Sequence, residues 1–416
     1  MTLSPLPLTA GLAAYDAQVD QLLAAFERGD RAAMQQVHQG HPGWWRLSPQ
    51  EFLQKRVDRT AIANTVAWYY AFDTWTALET WVTAVLPSGS ETAQFEAAAD
   101  AVVQGDTDTL RAIIATNPAI VHTRSMRAHH AQLLHYAGAN GVENYRQISP
   151  SNITTITQLL LVAGADVDAL ADMYGGSTTL GLVATSIHPA QAGVLIPLLD
   201  LLLTAGATID HPQASGNGQG VVLGCLHNGR PEAAHYLAGR GALLNLEAAS
   251  GVGRLDRVQA FFTTPGQLAE GATLHQLQLG FSWACAYDHA PVVEYLLQQG
   301  ALPDAYTHGL PGLHWAIIGN HPEVIELLVS RGTSMATRNH YGGNAIGCTL
   351  WAIGNSSEVY RWPAKTVDHL ATIRYLLQQG APVDPGTVTW LQQESGFAPA
   401  SLEQLDQLFR QYGTTT

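Results

Sequence analysis

The chain has 416 residues, enough for two or three conventional domains or for one elongated array whose core grows by stacking. Its 20 Lys and Arg against 34 Asp and Glu leave a net charge of -14, which repels nucleic-acid phosphates and anionic membrane surfaces, so neither is expected as a partner. Only 13% of the residues are charged and the mean hydropathy is +0.02, so a largely neutral polar surface is expected.

The opening stretch MTLSPLPLTAGLAAYDAQVD has neither a basic leader nor a long apolar run, so no signal peptide or membrane span is expected and a cytoplasmic location follows. Helical runs are predicted over 12–28, 31–38, 60–71 and 75–85. Trp44, Trp45, Trp68, Trp75 and Trp81 fall in this region, which predicts a compact helical cap with an aromatic core over 1–90. PSGSETAQ, from Pro87 to Gln94, reads as a linker.

From residue 91 one phrase recurs. It is clearest in YDHAPVVEYLLQQGALPDAYTHG (Tyr287 to Gly309) and GNHPEVIELLVSRGTSMATRNHYGG (Gly319 to Gly343), and it returns from Ile153, Ile196, Gly229 and His369. Each copy is an apolar i, i+3, i+4 helix closed by a glycine, then a bend and a Gly-containing turn. Shorter apolar helices precede them, as in QLLHYAGANG and PGLHWAIIGNH. About eight such units fit 91–386, those at Phe95 to His122 and Glu247 to Gly266 being degenerate. One pair cannot bury its own apolar face, so neighbours must stack. SLEQLDQLFRQYG, with Leu402, Leu405, Leu408, Phe409 and Tyr412 on one face, predicts a capping helix within 387–416.

The shorter helices match the pattern TPLHxAAxxGH, and in this register the chain resembles the ankyrin repeat family over roughly 95 to 385. The first 90 residues resemble, less closely, a helical module that precedes such arrays in some bacterial proteins. The resemblance implies an all-α ankyrin-repeat α-solenoid between helical caps. It also implies inter-repeat bridging roles for His135, His314, His289 and His321, and a concave surface lined by finger tips and inner helices. Carried over position by position, that surface comprises His129, Tyr174, Asn217, His308, His340 and Tyr341 at the tips. Asn140, Ser186, His227, Asn228 and Tyr287 follow along the inner helices. Such a lining suits a protein or peptide partner, or a neutral polar small molecule.

Departures from the pattern give a second candidate site. Regular units take twelve residues from tight turn to closing glycine, as from Gly229 to Gly241, whereas Gly141 to Gly164 takes twenty-three. The extra stretch VENYRQISPSN brings Glu143, Tyr145 and Arg146, which the repeat does not require. Shorter and longer inserts stand at IHPAQAGVL and GNSSEVYRWPAKTVD, and the first two inserts are expected side by side. With His129, His130, Tyr174 and His188, the insert residues could do acid/base chemistry on a polar, carbohydrate-like substrate. The competing reading is a loop pinned by a bond from Glu143 to Arg146 or Tyr145.

Cys225, Cys285 and Cys348 lack CxxC spacing and read as buried reduced thiols. HHxxxxH matches no common zinc spacing, so no metal is expected, and no nucleotide motif points to a cofactor. Trp283 and Trp315 could form a glycan ladder or pack between repeats. Two functions stay open: a recognition scaffold, or an enzyme or small-ligand binder with a pocket around repeats two to four.

Overall fold

The computed structural model describes residues 2–214, 218, 220–355, 368–393, 397 and 399–412, and the chain forms two compact units, Met1–Gly224 and Cys225–Thr416. The fold is all-α: helix pairs stack on one another, and among the described residues only two short two-stranded hairpins interrupt them. No described helix is long and apolar enough to cross a membrane.

The first unit begins with α1 (Leu12–Glu27), α2 (Arg31–Gly40), α3 (Pro49–Phe52), α4 (Arg59–Tyr69) and α5 (Trp75–Val85). Their starts follow from side-chain caps: Asp30 takes the Ala33 amide, Asp58 that of Ala61, and Thr74 that of Ala77. Tyr15, Leu22, Ile62, Val66, Tyr70, Phe72 and Trp81 form their common core. Of the five tryptophans expected there, Trp81 is in this core and Trp44 and Trp75 pack against it, whereas Trp45 and Trp68 are exposed. Trp68 lies two residues beyond buried Val66 on α4, about 200° round the helix, and so faces away from the core.

The repeats of this unit start with α6 (Glu91–Gln104) and α7 (Thr107–Thr116). Ser90 caps α6, and Gly105, with φ 73°, closes it. The first helix expected in repeat two is a 3-10 segment, Leu133–Gly138, packed between α6 and a later inner helix. Six residues at three per turn make only two turns, and i to i+3 bonds tighten the segment. Ala139, at φ 45°, then stops it. α8 (Ile153–Val162), α9 (Thr179–Thr185), α10 (Ile187–Gln191) and α11 (Leu195–Thr204) continue the stack, with a hairpin of Leu170–Ala171 and Ser177–Thr178 as one finger. Gly181 packs so closely that a Cβ would stand 1.2 Å from the Ala214 carbonyl oxygen. α12 (Val221–His227) runs across the division between the units.

In the second unit the inner helices α14 (Leu246–Gly251), α16 (Leu274–Ala286), α18 (Gly312–Gly319) and α20 (Ala345–Asn355) pack in sequence. The outer helices α15 (Leu255–Gln259), α17 (Ala290–Gln298) and α19 (Pro322–Ser330) do the same. α13 (Pro231–Gly239) precedes them; α21 (His369–Gln378), α22 (Pro385–Gln393) and α23 (Pro399–Tyr412) follow. Leu405, Leu408 and Phe409 of α23 are buried. Most of the GNSSEVYRWPAKTVD insert lies outside the described residues.

Histidine joins successive repeats. His135 Nε2 meets the Ala169 carbonyl at 2.9 Å, His289 Nε2 that of Gly251 at 3.1 Å, and His321 Nε2 that of Ala286 at 2.8 Å. Burial pushes the His135, His289 and His314 imidazoles down to about 4, so all three are neutral at neutral pH. His314, however, is buried with no hydrogen-bond partner on either ring nitrogen, and the bridging role the resemblance implied for it is corrected. Cys225, Cys285 and Cys348 are in no disulfide and are buried on inner helices, with burial raising each thiol.

Candidate functional site

The insertion after Gly141 folds back on the first helix pair. Val142 and Glu143 lead into a 3-10 turn, Asn144–Arg146, and Asn152 donates to the Gly105 carbonyl at 2.8 Å. This carries Glu143 and Arg146 inward beside Arg127, which the preceding finger supplies. That finger is fastened to the end of α4 by the Ala128 amide on the Ala71 carbonyl, 2.9 Å.

Four charged side chains, all almost fully buried, meet here. Glu96 from α6 accepts from Arg127 Nη2 at 3.0 Å, from Arg146 Nη1 at 2.5 Å, and from Trp81 Nε1 at 2.9 Å. Glu143 pairs with Arg127 Nε and, at 3.0 Å, with Arg146 Nη1. Arg127 also lies over the Trp81 and Phe72 rings, 4.7 and 5.0 Å from their centroids. Asp100, at the edge, takes Arg146 Nε at 2.8 Å. Two carboxylates face two guanidiniums, so the core of the cluster is neutral.

Burial alone would raise the Glu143 carboxyl, but Arg127, His129 and Arg146 outweigh it and hold it well below the usual carboxylate range. Glu96 is lowered in the same way, with Arg127 and Arg146 overcoming burial. For Asp100 burial wins, and its carboxyl is raised.

Next to this cluster opens a cleft of about 920 Å³. One wall is α2 and the end of α4, with Gln35, Gln36, Gln39, Trp68 and Tyr69; the other is Ala128, His129, the 141–147 turn and the Asp172 to Tyr174 finger. His129 Nδ1 accepts from the Ala131 amide at 3.1 Å, which places the imidazole proton on Nε2. Nε2 lies 3.6 Å from Glu143 Oε2, and neither atom has a hydrogen-bond partner. Gly141, at φ 75°, is needed for the narrow turn: a Cβ would stand 2.6 Å from Met173 Sδ and 3.0 Å from Tyr174 Cε2.

The seven residues considered for chemistry are thus only partly gathered. His129, Glu143 and Arg146 meet in the cluster, and Tyr174 lines the same cleft while donating to Asn140 Oδ1 at 2.8 Å. Tyr145 turns toward the N-terminal core, 6.1 Å from both the Tyr69 and Tyr70 ring centroids. His130 is exposed and bonds Asp172 at 2.8 Å, and His188, at the start of α10, is not in the cleft lining. The bond from Glu143 to Arg146 that would pin the insert is present, and the next insert starts beside it, Asn140 Nδ2 donating to Thr185 Oγ1 at 3.0 Å.

Sequence reasoning did not single out Glu96, Arg127 or Asp100. One signal was there: Glu96 interrupts the apolar stripe of Phe95, Ala99 and Val102 on α6, where a charge must find a buried partner. Arg127, in TRSMRAHH, reads as an ordinary surface arginine. Among the described residues, no group of three or more His, Cys, Asp or Glu could hold a metal ion.

Of the residues carried over to a concave surface, Ser186 and Tyr287 are corrected. Both are buried, Ser186 because its hydroxyl turns to the Ala139 carbonyl at 3.4 Å and Tyr287 because its hydroxyl reaches the Leu226 carbonyl at 2.7 Å. Asn140 is half-buried, His227 and Asn228 are exposed, and Asn217 lies outside the described residues. His308, His340 and Tyr341 are exposed finger residues of the second unit, His340 stacking on Tyr306 at 4.8 Å. There His227, Trp283 and His308 touch edge to face or tilted, at 4.9 to 5.8 Å, and Trp283 adjoins Trp315 at 6.3 Å. Trp283 and Trp315 are buried between repeats. Beyond Trp315 a groove of about 1040 Å³ is lined by His308, Trp315, Tyr341, Trp351 and Trp390, the last three exposed.

Residues 281–308 and 308–340 match the family model for the ankyrin repeat. No curated protein matches the chain. Among solved structures, the human ASB11 ankyrin repeat domain is similar at 20% identity, covering 69% of this chain and 98% of that one, with a TM-score of 0.34.

Proposed function

We propose, from the premise that this chain is an ankyrin repeat protein, that it is a recognition scaffold holding a protein partner by its finger and inner-helix surface. Ankyrin repeats generally mediate protein–protein interaction. The observation that carries the reading is the groove at Trp315, where Tyr341, Trp351 and Trp390 expose large aromatic faces beside the Arg338 and Asp384 pair, 2.8 Å apart. Aromatic anchors with a polar rim are what a peptide segment needs, because the rings supply area and the rim fixes register. Residues 1–90 and 387–416 serve in this reading as caps on the array 91–386, and buried cysteines outside any disulfide suit a cytoplasmic protein.

Selection from a random peptide library on the full chain tests it. Enriched peptides should lose at least tenfold in affinity on the double substitution Tyr341→Ala, Trp351→Ala, since each ring is worth more than about 1 kcal/mol. The reading fails if nothing is enriched, or if the double variant binds the enriched peptides unchanged.

A second reading is favoured by the cleft beside Glu143: it holds a small polar ligand. Glu143 is ionised and doubly paired with arginine, which makes it a weak proton acceptor, so the cleft suits binding better than acid/base turnover.

A further inference from the structure

The cleft next to the buried charge cluster has a composition that narrows what can enter it. No lysine or arginine lines it, and Asp73, Asp172 and Glu143 do, so an anionic ligand meets no compensating charge. Five carboxamides, Gln35, Gln36, Gln39, Asn144 and Gln147, offer both donors and acceptors. Trp68 and Tyr174, both exposed, present ring faces from opposite walls.

The base of the cleft is more selective. His129 Nε2 carries a proton and Glu143 Oε2 is an acceptor; they face each other at 3.6 Å, too far for a good hydrogen bond, and neither has another partner within hydrogen-bond distance. One oxygen about 2.8 Å from each atom could satisfy both, provided that it donates and accepts at once. A hydroxyl does so; an ammonium group cannot accept, and a carboxylate cannot donate. Both residues line the cleft, and the two atoms themselves are closed to solvent, so a hydroxyl enters by parting Nε2 from Oε2 while the Ala131 amide bond that fixes the imidazole tautomer is kept.

We infer that the cleft binds a neutral polyhydroxylated ligand, one hydroxyl bridging His129 Nε2 and Glu143 Oε2 while Trp68 and Tyr174 cover its C–H faces. This rests on the second reading above, that the cleft holds a small ligand. Catalysis is not part of it.

Saturation-transfer NMR and calorimetry on the full chain test the inference with sorbitol, glucose and trehalose as neutral polyols, choline and putrescine as cations, and citrate as an anion. At least one polyol should bind saturably. Its affinity should fall tenfold or more in His129→Asn, whose side-chain oxygen can still accept from the Ala131 amide but which has no donor at the Nε2 position. His129→Gln, which restores an N–H near that position, should recover part of the loss. Should His129→Asn not fold, Trp68→Ala on the cleft wall must weaken the same polyol. If choline, putrescine or citrate binds and no polyol does, the cleft holds a ligand but the class inferred here is wrong. Polyol binding that neither His129→Asn nor Trp68→Ala changes overturns the assigned site. If no probe of any class binds, the small-ligand reading falls and the inference with it.

Discussion

Arg127 lies between two carboxylates and two aromatic rings without reaching solvent, so its removal leaves Glu143 and Glu96 sharing Arg146 alone. An uncompensated buried carboxylate costs about 3–5 kcal/mol. Arg127→Met should therefore lower the urea unfolding free energy of the full chain by that much. Adding Glu143→Gln should cost less than the sum, and strict additivity of the two would show that they do not interact. Glu143 and Arg146 were legible because they stand where the repeat requires no charge, and His129 because the repeat register puts it at a finger tip. Arg127 was not, because nothing local distinguishes an arginine destined for the core from one on the surface. Glu96 was half legible, as a charge on an apolar stripe whose partner lies 31 positions away.

At the scale of elements, what matters is where turns stop being generic. Gly141 and Gly206 both have positive φ, 75° and 98°, but a Cβ at Gly206 meets nothing, whereas at Gly141 it strikes Met173 and Tyr174. Gly206→Ala should cost about 1 kcal/mol of backbone strain. Gly141→Ala should cost about 1–2 kcal/mol more, because overpacking is added. Urea midpoints for the two variants, side by side, would refute this if they were equal. Most elements could be read from periodicity: α1, α2, α4 and α5 lie within two residues of the predicted runs. The 3-10 segment Leu133–Gly138 could not, since its apolar letters fit a full helix and only its confinement between α6 and α9 shortens it. The exposed side of Trp68 was readable by helical angle, but composition had assigned every tryptophan of that region to the core.

Over the whole molecule, the buried histidines tie stability to pH. His135, His289 and His314 have folded values of about 4 against an ordinary 6.5, so as pH falls the unfolded chain takes up protons first. Their contribution is complete above 6.5 and is lost between 6.5 and about 4. The unfolding free energy should fall at a slope approaching three protons, about 4 kcal/mol per pH unit, near pH 5.5. Replacing His289 with asparagine should remove roughly a third of that slope; an unchanged slope in urea titrations across this range would contradict the assignment. The lowered Glu96 and Glu143 carboxyls add loss of the same sign below the ordinary carboxyl range, while raised Asp100 acts in the opposite direction. The repeat register, and with it these histidines, was the part of the molecule most fully written in the sequence, because stacking imposes the same letters at each step.

Stacking also gives the three sealed cysteines a use that their chemistry does not. Cys225, Cys285 and Cys348 lie on α12, α16 and α20, inner helices of different repeats, each without access to solvent. A thiol reagent can modify any one of them only while its own helix pair is parted from its neighbours. Labelling rates then time local opening, one repeat at a time, and the chain carries three native clocks spaced along its length.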